Sequence, residues 1–278
     1  MSEVLKVDGL KMYYRMGQVY VKAVDDISFS IKKGNCLGLA GESGSGKTSI
    51  ATTIMRILPK NGQIISGNIY LDGQDVLKFN DEEFRKIRWV KIALVPQASM
   101  NAFDPVFTIG DQIMEAILTH RNISKEEAMA RVKELFQLVG IDPSRVNNYP
   151  HEFSGGMKQR AAIAMALANN PDILILDEPT TALDVIVQAQ ILSLLRSLKQ
   201  KLNISMILIT HDLSIIADVC DSIAVIYAGK IVEYGDINKV YHSPKHPYTQ
   251  GLLGAFPNIK AKKQKLIGIP GAPPNLAN

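Results

Sequence analysis

The segment Cys36-Leu-Gly-Leu-Ala-Gly41-Glu-Ser-Gly-Ser-Gly46-Lys47-Thr48 runs from a short apolar stretch directly into a glycine-rich loop. The stretch at residues 36–40 is typical of a buried strand, and we expect a helix from residue 47 to about residue 58. The loop matches the pattern G-x-x-x-x-G-K-[ST], in which small glycines let backbone N–H groups curl around phosphate oxygens. The sequence therefore predicts a nucleotide-binding α/β fold.

The side chains of this loop have separate predicted tasks. The N-terminus of the following helix adds its positive dipole end. We expect Lys47 to hold the β- and γ-phosphates and the Thr48 hydroxyl to ligate Mg²⁺. The residues predicted to contact the nucleotide here are Gly41, Ser43, Gly44, Ser45, Gly46, Lys47, Thr48 and Ser49.

A second motif, Ile173-Leu-Ile-Leu-Asp177-Glu178, is an apolar run that ends in two carboxylates. Such a strand places its carboxylates at the C-terminal edge of a parallel sheet, where a phosphate loop also lies. We predict that Asp177 orients Mg²⁺, directly or through water. Glu178 would polarise the attacking water as a general base.

The rest of the chain changes character twice. Strands and turns dominate the N-terminal third, helical periodicity follows between residues 109 and 169, and strand and helix alternate from residue 172 to residue 227. Ser124 is the predicted N-cap of a capping box with Glu127. The alternation predicts a parallel sheet with helices on its faces. Beyond about residue 241, the proline and glycine content predicts an extended C-terminal appendage.

Composition narrows the functional class. The chain has 278 residues, is 46% hydrophobic and carries a net charge of +4, which predicts a substantial core and argues against a nucleic-acid partner. No segment approaches the ~18 apolar residues of a membrane span, and the N-terminus lacks the apolar stretch of a signal peptide. Any transport role would need separate membrane subunits. Cys36 and Cys220 are expected to be buried thiols in a reducing cytosol.

The segment Phe153-Ser154-Gly155-Gly156-Met157 opens a helix shortly before the Asp-Glu pair. Here the sequence resembles the ABC ATPase family, whose signature usually reads LSGGQ. Ser154 as N-cap and the two glycines would expose free N–H groups, a second phosphate-binding element. Phe153 replaces leucine and Met157 replaces glutamine, which leaves the serine and the backbone donors intact.

Further landmarks of that family occur in order, and the resemblance implies their roles. Gln97 matches the glutamine that senses Mg²⁺ and water. Asp184 ends a segment, Thr181-Ala-Leu-Asp184, that resembles the loop crossing between two ATPase subunits. His211 matches the switch histidine that contacts the γ-phosphate.

The adenine ring would stack on an aromatic side chain near the N-terminus. Tyr14 is the best candidate, with Tyr13 and Tyr20 as alternatives.

The resemblance implies an α/β fold: an ABC ATPase core with a parallel sheet, an antiparallel β subdomain and a helical insertion. The corresponding domain prediction is a core of residues 1–97 and 165–240, a helical signature subdomain of residues 98–164, and an extension of residues 241–278.

Three longer stretches are similar to the oligopeptide/dipeptide importer subfamily of ABC ATPases. They are residues 101–111, residues 149–160, and a C-terminal pair, His246-Pro-Tyr-Thr-Gln-Gly-Leu-Leu253 with Ile269-Pro-Gly-Ala-Pro-Pro274. Many members carry a cysteine cluster beyond the last of these. This chain has no cysteine there, so we predict no iron–sulfur site.

The function that the resemblance implies is ATP hydrolysis that energises an importer, for di- or oligopeptides by kinship, with ATP and Mg²⁺ as cofactors. ATP would be sandwiched between this chain and a second ABC ATPase subunit, identical or not. The implied partners are two transmembrane permease subunits and, indirectly, an extracytoplasmic solute-binding protein. The implied location is the cytoplasmic face of the cell membrane.

Alternative functions remain open at this point. The solute could be an oligosaccharide or nickel. A non-transport ABC ATPase of nucleic-acid repair or translation ranks lower, because no coiled-coil insertion or duplicated cassette is present. A small-molecule P-loop kinase ranks last, because it has no role for residues 153–157 or for His211.

Overall fold

The computed structural model describes residues 2–255 and 276–277. The chain divides into two compact units, the first formed by Met1–Leu77 with Leu208–Asn278 and the second by Lys78–Ile207. The strands are β1 (Glu3–Met16), β2 (Val19–Lys32), β3 (Cys36–Ala40), β4 (Gly62–Leu71), β5 (Gln74–Asp75), β6 (Ile92–Val95), β7 (Ile173–Asp177), β8 (Ser205–Ile209), β9 (Ser222–Tyr227) and β10 (Lys230–Asp236). The helices are α1 (Lys47–Ile54), α2 (Asp81–Arg85), α3 (Ile109–Leu118), α4 (Lys125–Leu138), α5 (Gly155–Ala166), α6 (Val185–Leu202), α7 (Leu213–Val219), α8 (Ile237–His242) and α9 (Pro247–Gly254).

The first unit contains an antiparallel sheet with the strand order β2-β1-β4-β5. In β2, Ile27, Phe29 and Ile31 are buried at alternate positions, because successive side chains of a strand point to opposite faces. The β4–β5 turn is Asp72-Gly73, with φ of 48° and 80°. Left-handed values at both positions are those of a type I′ hairpin, a turn in which an Asp-Gly pair is favoured.

The same unit holds β3, β9 and β10 as neighbouring strands. β3 runs parallel to β9, which pairs antiparallel with β10. Every residue of β3 is buried, as expected of a parallel strand covered on both faces. Helix α7 approaches β3 at Gly38, where a Cβ atom would lie 2.3 Å from Cγ2 of Ile216. The small residue in this strand is therefore a packing requirement.

The two cysteines come together in the first unit, although they are far apart in the sequence. Cys36 begins β3 and Cys220 follows α7, and their sulfur atoms lie 3.1 Å apart. Both thiols are buried, which confirms the expectation of buried cysteines.

The second unit contains β6 and β7 as a parallel pair, aligned from Ile92 opposite Ile173 to Val95 opposite Leu176. Because parallel strands share their direction, both strands end at the same edge. Helices α3, α4 and α5 belong to this unit. The N-cap of α4 is Ser124, which forms the predicted capping box with Glu127. Among the described residues, no helix combines the length and apolar composition that crossing a bilayer requires.

The prediction of an extended C-terminal appendage was wrong for the part that the structure describes. α8 ends at His242, and α9 follows from Pro247 to Gly254. Proline at the first helical position needs no N–H partner there and has a helix-compatible φ, so Pro247 starts α9 rather than preventing it. His246 caps this helix through its Nδ1 atom, which accepts from the Tyr248 N–H. The stretch at residues 269–274 lies outside the described residues.

Glu233 anchors the entry to α9 on β10. Its carboxylate accepts hydrogen bonds from the N–H groups of Lys245 (2.8 Å) and His246 (3.1 Å). Burial alone would raise the pKa of Glu233, but interactions with Lys245, Thr249 and His246, first among them the hydrogen bond from the Lys245 N–H, outweigh it and hold the pKa below its ordinary value.

We expect a Glu233→Gln substitution to destabilise the chain at pH 7 by about 1 kcal/mol, because hydrogen bonds to a charged acceptor are stronger than those to a neutral one. A lowered folded-state pKa gives stability that is complete above the unfolded-state pKa of about 4.3 and is lost as the pH falls through the folded-state value. The difference in the free energy of unfolding between wild type and variant, measured in urea, should therefore be smaller at pH 4 than at pH 7. The exposed Glu115→Gln variant is the matched control. An equal difference in the free energy of unfolding at both pH values would contradict the stabilising role of the ionised Glu233 carboxylate.

Candidate functional site

The phosphate loop in the first unit needs glycine at two positions. Gly41 and Gly46 have φ of 151° and 107°, in the region that side chains rarely adopt. A Cβ atom would lie 2.3 Å from the Ile226 carbonyl oxygen at Gly41, and 2.0 Å from the Ala23 carbonyl oxygen at Gly46. At Gly44, whose φ is also positive, no atom lies within 4 Å of that position. Backbone atoms of neighbouring segments therefore lie close to both ends of the loop, whereas the space beside its middle, at Gly44, is open.

Lys47 begins α1 with its side chain folded back over the loop. Its ammonium donates to the carbonyl oxygens of Gly41 and Glu42, both at 2.7 Å, and only 7% of the residue is exposed. The first-turn N–H groups of a helix have no intrahelical acceptors. Those groups, the helix dipole and a fixed ammonium create the electrostatic environment that a polyphosphate requires. Thr48 is exposed in the same turn of α1.

The three candidate tyrosines have different surroundings. The Tyr14 hydroxyl lies 3.0 Å from Oγ of Ser49 in α1, and its ring is 3.4 Å from the Cβ position at Gly62. Tyr13 donates to Asp25 at 2.8 Å, and burial together with this bond raises the pKa of Tyr13 to about 12. Tyr20 is exposed on β2, with its ring 6.5 Å from that of Tyr13. Of the three, Tyr14 has a hydrogen bond to the helix that follows the phosphate loop.

His211 is an exposed residue at the end of β8, on the first unit's side of that strand. The N–H of the preceding Thr210 donates to the Leu39 carbonyl at 3.3 Å. This bond places the chain that carries His211 beside the end of β3, one residue from the start of the phosphate loop at Gly41. Asp212 caps α7 through the Ser214 N–H, which holds the backbone after the histidine.

The second unit brings the predicted carboxylates and Gln97 to one sheet edge. Because Val95 pairs with Leu176, Gln97 and Glu178 both occur two residues beyond that pair. Asp177 is 3% exposed, whereas Gln97 is exposed. Glu178 has a φ of 50°, and its Oε2 atom accepts from the Thr181 hydroxyl at 2.9 Å. A left-handed backbone at a non-glycine residue is a strain that clusters at functional sites.

No cluster of three or more histidine, cysteine or acidic side chains occurs within residues 2–255 and 276–277 that could hold a metal by itself. Mg²⁺ is usually bound by one or two carboxylates together with substrate phosphates and water. Thr48 and Asp177 supply oxygen donors of that kind.

The signature segment forms a helix start in the second unit. Ser154 is the N-cap of α5, and its hydroxyl accepts from the Met157 N–H at 3.3 Å. Ser154 and Gly155 are exposed. Phe153 is buried and packs edge-on against Phe136, with ring centroids 6.3 Å apart. The aromatic replacement of leucine therefore serves the core of this unit, and the helix start keeps its donors.

The signature helix lies against the segment that ends at Asp184. A Cβ atom on Gly156 would lie 2.5 Å from Cγ1 of Val187, in the first turn of α6. Asp184 is the N-cap of α6 and accepts from the Val187 N–H at 2.9 Å. The sequence predicted both segments but not their contact.

Sequence reasoning also missed Gln159 and Ser99. Gln159 is buried on α5, and its Oε1 atom accepts from the Ser99 hydroxyl at 2.9 Å. Ser99 follows Gln97 closely, so this bond ties the segment after Gln97 to the signature helix. Gln159 stands between Lys158 and Arg160 in the sequence, so nothing in its local context marks it as a buried residue.

Two family models match the chain. Residues 24–181 match the model described as ABC transporter, and residues 232–278 match the one described as oligopeptide/dipeptide transporter, C-terminal region.

Curated relatives match over the whole chain. The dipeptide transport ATP-binding protein DppD of Lactococcus lactis is 45% identical over 100% of this chain and 80% of its own length. The oligopeptide transport ATP-binding protein OppD of Bacillus subtilis is 44% identical over 100% of this chain and 78% of its own. The OppD protein of Escherichia coli is 43% identical over 98% and 81%.

Solved structures share the fold. One is a dimeric ATP-binding cassette in a post-hydrolysis state bound to ADP and phosphate, with a TM-score of 0.75 and 28% identity over 84% of this chain and 98% of that chain. Another is cbiO1 of Clostridium perfringens, part of an ABC transporter complex, with a TM-score of 0.74 and 26% identity over 87% and 92%.

We expect Gly156→Ala to destabilise the chain by about 1–2 kcal/mol, because the added methyl group overpacks against Val187. In a Val187→Ala background the same change should be neutral or stabilising by about 0.5 kcal/mol, since alanine favours a helix over glycine. Urea unfolding of the four chains measures both effects. Gly155→Ala is the matched control, because its Cβ would meet only Met100 Sδ at 3.4 Å and Leu183 Cδ2 at 3.7 Å. An equal cost in both backgrounds would contradict the contact.

Proposed function

Given that this chain belongs to the ABC transporter family of ATP-binding proteins, we propose that it is the ATPase subunit of an importer for di- or oligopeptides. The ATPase function follows from the family match over residues 24–181. The solute class follows from the relatives named for dipeptide and oligopeptide transport and from the C-terminal match over residues 232–278. That C-terminal match favours peptides over an oligosaccharide or nickel, and the transport relatives disfavour a non-transport ATPase.

The observation that carries the proposal is the pairing of two different phosphate-binding elements in one chain. One is the loop closed by Lys47 in the first unit, and the other is the helix start capped by Ser154 in the second. A monomeric P-loop enzyme has no use for the second element. We propose that ATP lies between the loop of one chain and the signature of a second chain, identical or not, with Asp184 at the crossing between them.

The proposed reaction is the in-line transfer of the γ-phosphoryl group from ATP to water, with ADP as the leaving group. Glu178 accepts the proton of the attacking water, and the Thr181 hydroxyl orients the carboxylate for that task. Lys47 neutralises charge on the phosphates, His211 donates a hydrogen bond to the γ-phosphate, and Gln97 positions the water. Catalysis of this kind consists of positioning and charge neutralisation.

Mg²⁺ would be held by the Thr48 hydroxyl and, directly or through water, by Asp177 and Gln97. It would supply charge neutralisation at the phosphates. Mg²⁺ is usually bound by one or two carboxylates, with phosphates and water completing its shell, and the single carboxylate of Asp177 is consistent with this pattern.

The proposed partners are a second ABC ATPase subunit, two transmembrane permease subunits and, indirectly, an extracytoplasmic solute-binding protein. The proposed location is the cytoplasmic face of the membrane. We further propose that the helical region beginning at residue 98 receives a cytoplasmic helix of a permease subunit. Val106 and Phe107 support this docking, because they are 69% and 55% exposed although apolar. The division into a core of residues 1–97 and 165–240, a signature subdomain of residues 98–164 and an extension of residues 241–278 remains our functional proposal.

We expect ATP turnover per subunit to rise with protein concentration, because each shared site needs two chains. Glu178→Gln should lower turnover by a factor of about 10²–10⁴ while ATP-driven dimerisation persists, since the amide keeps the acceptor for Thr181 but not the base. Glu115→Gln is the control for the charge change.

Concentration-independent turnover would contradict the shared site. If the chain alone shows no turnover, adding the partner subunit should restore it, and failure of both would overturn the proposed function.

We expect Tyr14→Ala to raise the Kd for ATP about 5–10-fold, because aromatic stacking on a base contributes about 1–1.5 kcal/mol in such sites. Tyr14→Phe should bind nearly as well as wild type, since it keeps the ring. Tyr13→Phe and Tyr20→Ala test the two alternatives. A larger loss of ATP affinity in either of these variants than in Tyr14→Ala would contradict the assignment of the adenine contact to Tyr14.

A further inference from the structure

A side chain of the C-terminal region contacts the phosphate loop. The hydroxyl oxygen of Tyr248, in the first turn of α9, accepts the N–H of Glu42 at 3.2 Å. Glu42 is the second residue of the loop and Tyr248 is 7% exposed. All of these residues belong to the first compact unit. The contact joins residues 206 positions apart in the chain.

Several contacts fix the position of Tyr248. Its ring packs on that of Tyr227 with centroids 4.5 Å apart, and its own N–H is bonded to the His246 side chain. The start of α9 is tied to β10 through Glu233. Burial raises the pKa of the Tyr248 hydroxyl, so the neutral acceptor form persists at physiological pH.

The hydrogen bond between Tyr248 and Glu42 orients one peptide group, and it thereby also orients the carbonyl oxygen on the opposite side of that group. The Glu42 N–H and the Gly41 carbonyl belong to the same planar peptide unit, so holding one fixes the direction of the other. The Gly41 carbonyl oxygen accepts from the Lys47 ammonium at 2.7 Å. Gly41 is the residue with a φ of 151°, whose conformational freedom would otherwise permit this peptide unit to rotate. Tyr248 and Lys47 therefore form hydrogen bonds with the N–H and the carbonyl oxygen, respectively, of a single peptide group.

We propose that Tyr248 is a positioning residue of the nucleotide site, which sets the peptide unit that holds Lys47 in place for the phosphates. This inference rests on the proposed function, in which Lys47 binds ATP. It makes α9 a structural part of the phosphate loop and gives the C-terminal region a task within the ATPase itself.

The test replaces the hydroxyl alone. Tyr248→Phe keeps the ring that packs on Tyr227 and removes the acceptor for Glu42. Tyr234→Phe is the matched control, because the Tyr234 hydroxyl also bonds to backbone in the same unit, donating to the Ser30 carbonyl at 2.9 Å away from the loop. Each variant loses one hydroxyl from the full chain.

Two readouts separate positioning from general stability. We expect Tyr248→Phe to raise the Kd for ATP, measured with EDTA to prevent turnover, 3- to 10-fold over wild type and over Tyr234→Phe. The urea midpoints of the two variants should be alike. Hydrogen exchange at the Glu42 amide should accelerate at least 5-fold in Tyr248→Phe only, a measurement that needs no nucleotide.

The outcomes distinguish this inference from the proposed function. Wild type without ATP affinity would overturn the proposed function, while the exchange experiment still decides the Tyr248–Glu42 contact. Equal Glu42 exchange in all three chains, or equal ATP affinity in the two variants, would overturn the positioning role. A loss of affinity that follows the loss of stability equally in both variants would overturn it as well.

Discussion

The left-handed backbone of the phosphate loop is the constraint on which the surrounding structure depends. Gly41 and Gly46 turn the chain so sharply that the carbonyls of Ile226 and Ala23 occupy the space where their side chains would be. Neighbouring elements must therefore present backbone, not side chains, to the loop. The turn after β9 does this too, since the Gly229 N–H donates to the Ser45 carbonyl. A loop built this way arrives with its donors already arranged, so ATP binding need not supply the cost of ordering it.

The sequence predicted what depends on neighbours along the chain. β3 was predicted at its observed bounds, because a short apolar run that ends at a glycine-rich loop leaves little choice. The capping box at Ser124 was predicted correctly because it too depends only on residues close in the sequence.

What depends on distant partners was not predictable. The contacts of Gly156 with Val187 and of Glu42 with Tyr248 require knowledge of which segments meet in space. The prediction of an extended C-terminal region was wrong because it rested on proline and glycine content, whereas Pro247 occupies the first position of α9 and His246 caps that helix. Among the tyrosines, residue type does not separate Tyr14 from Tyr13, and the structure adds that their hydroxyls have different partners, Ser49 and Asp25.

The buried cysteine pair has a practical consequence. Cys36 and Cys220 are the only cysteines of the chain, and both are inaccessible in the folded protein. Thiol-specific reagents should therefore not react with the native chain. New cysteines can then be labelled without first replacing Cys36 and Cys220. Dyes placed on new surface cysteines could report distances within a working transporter, and labelling of the native pair would itself signal unfolding.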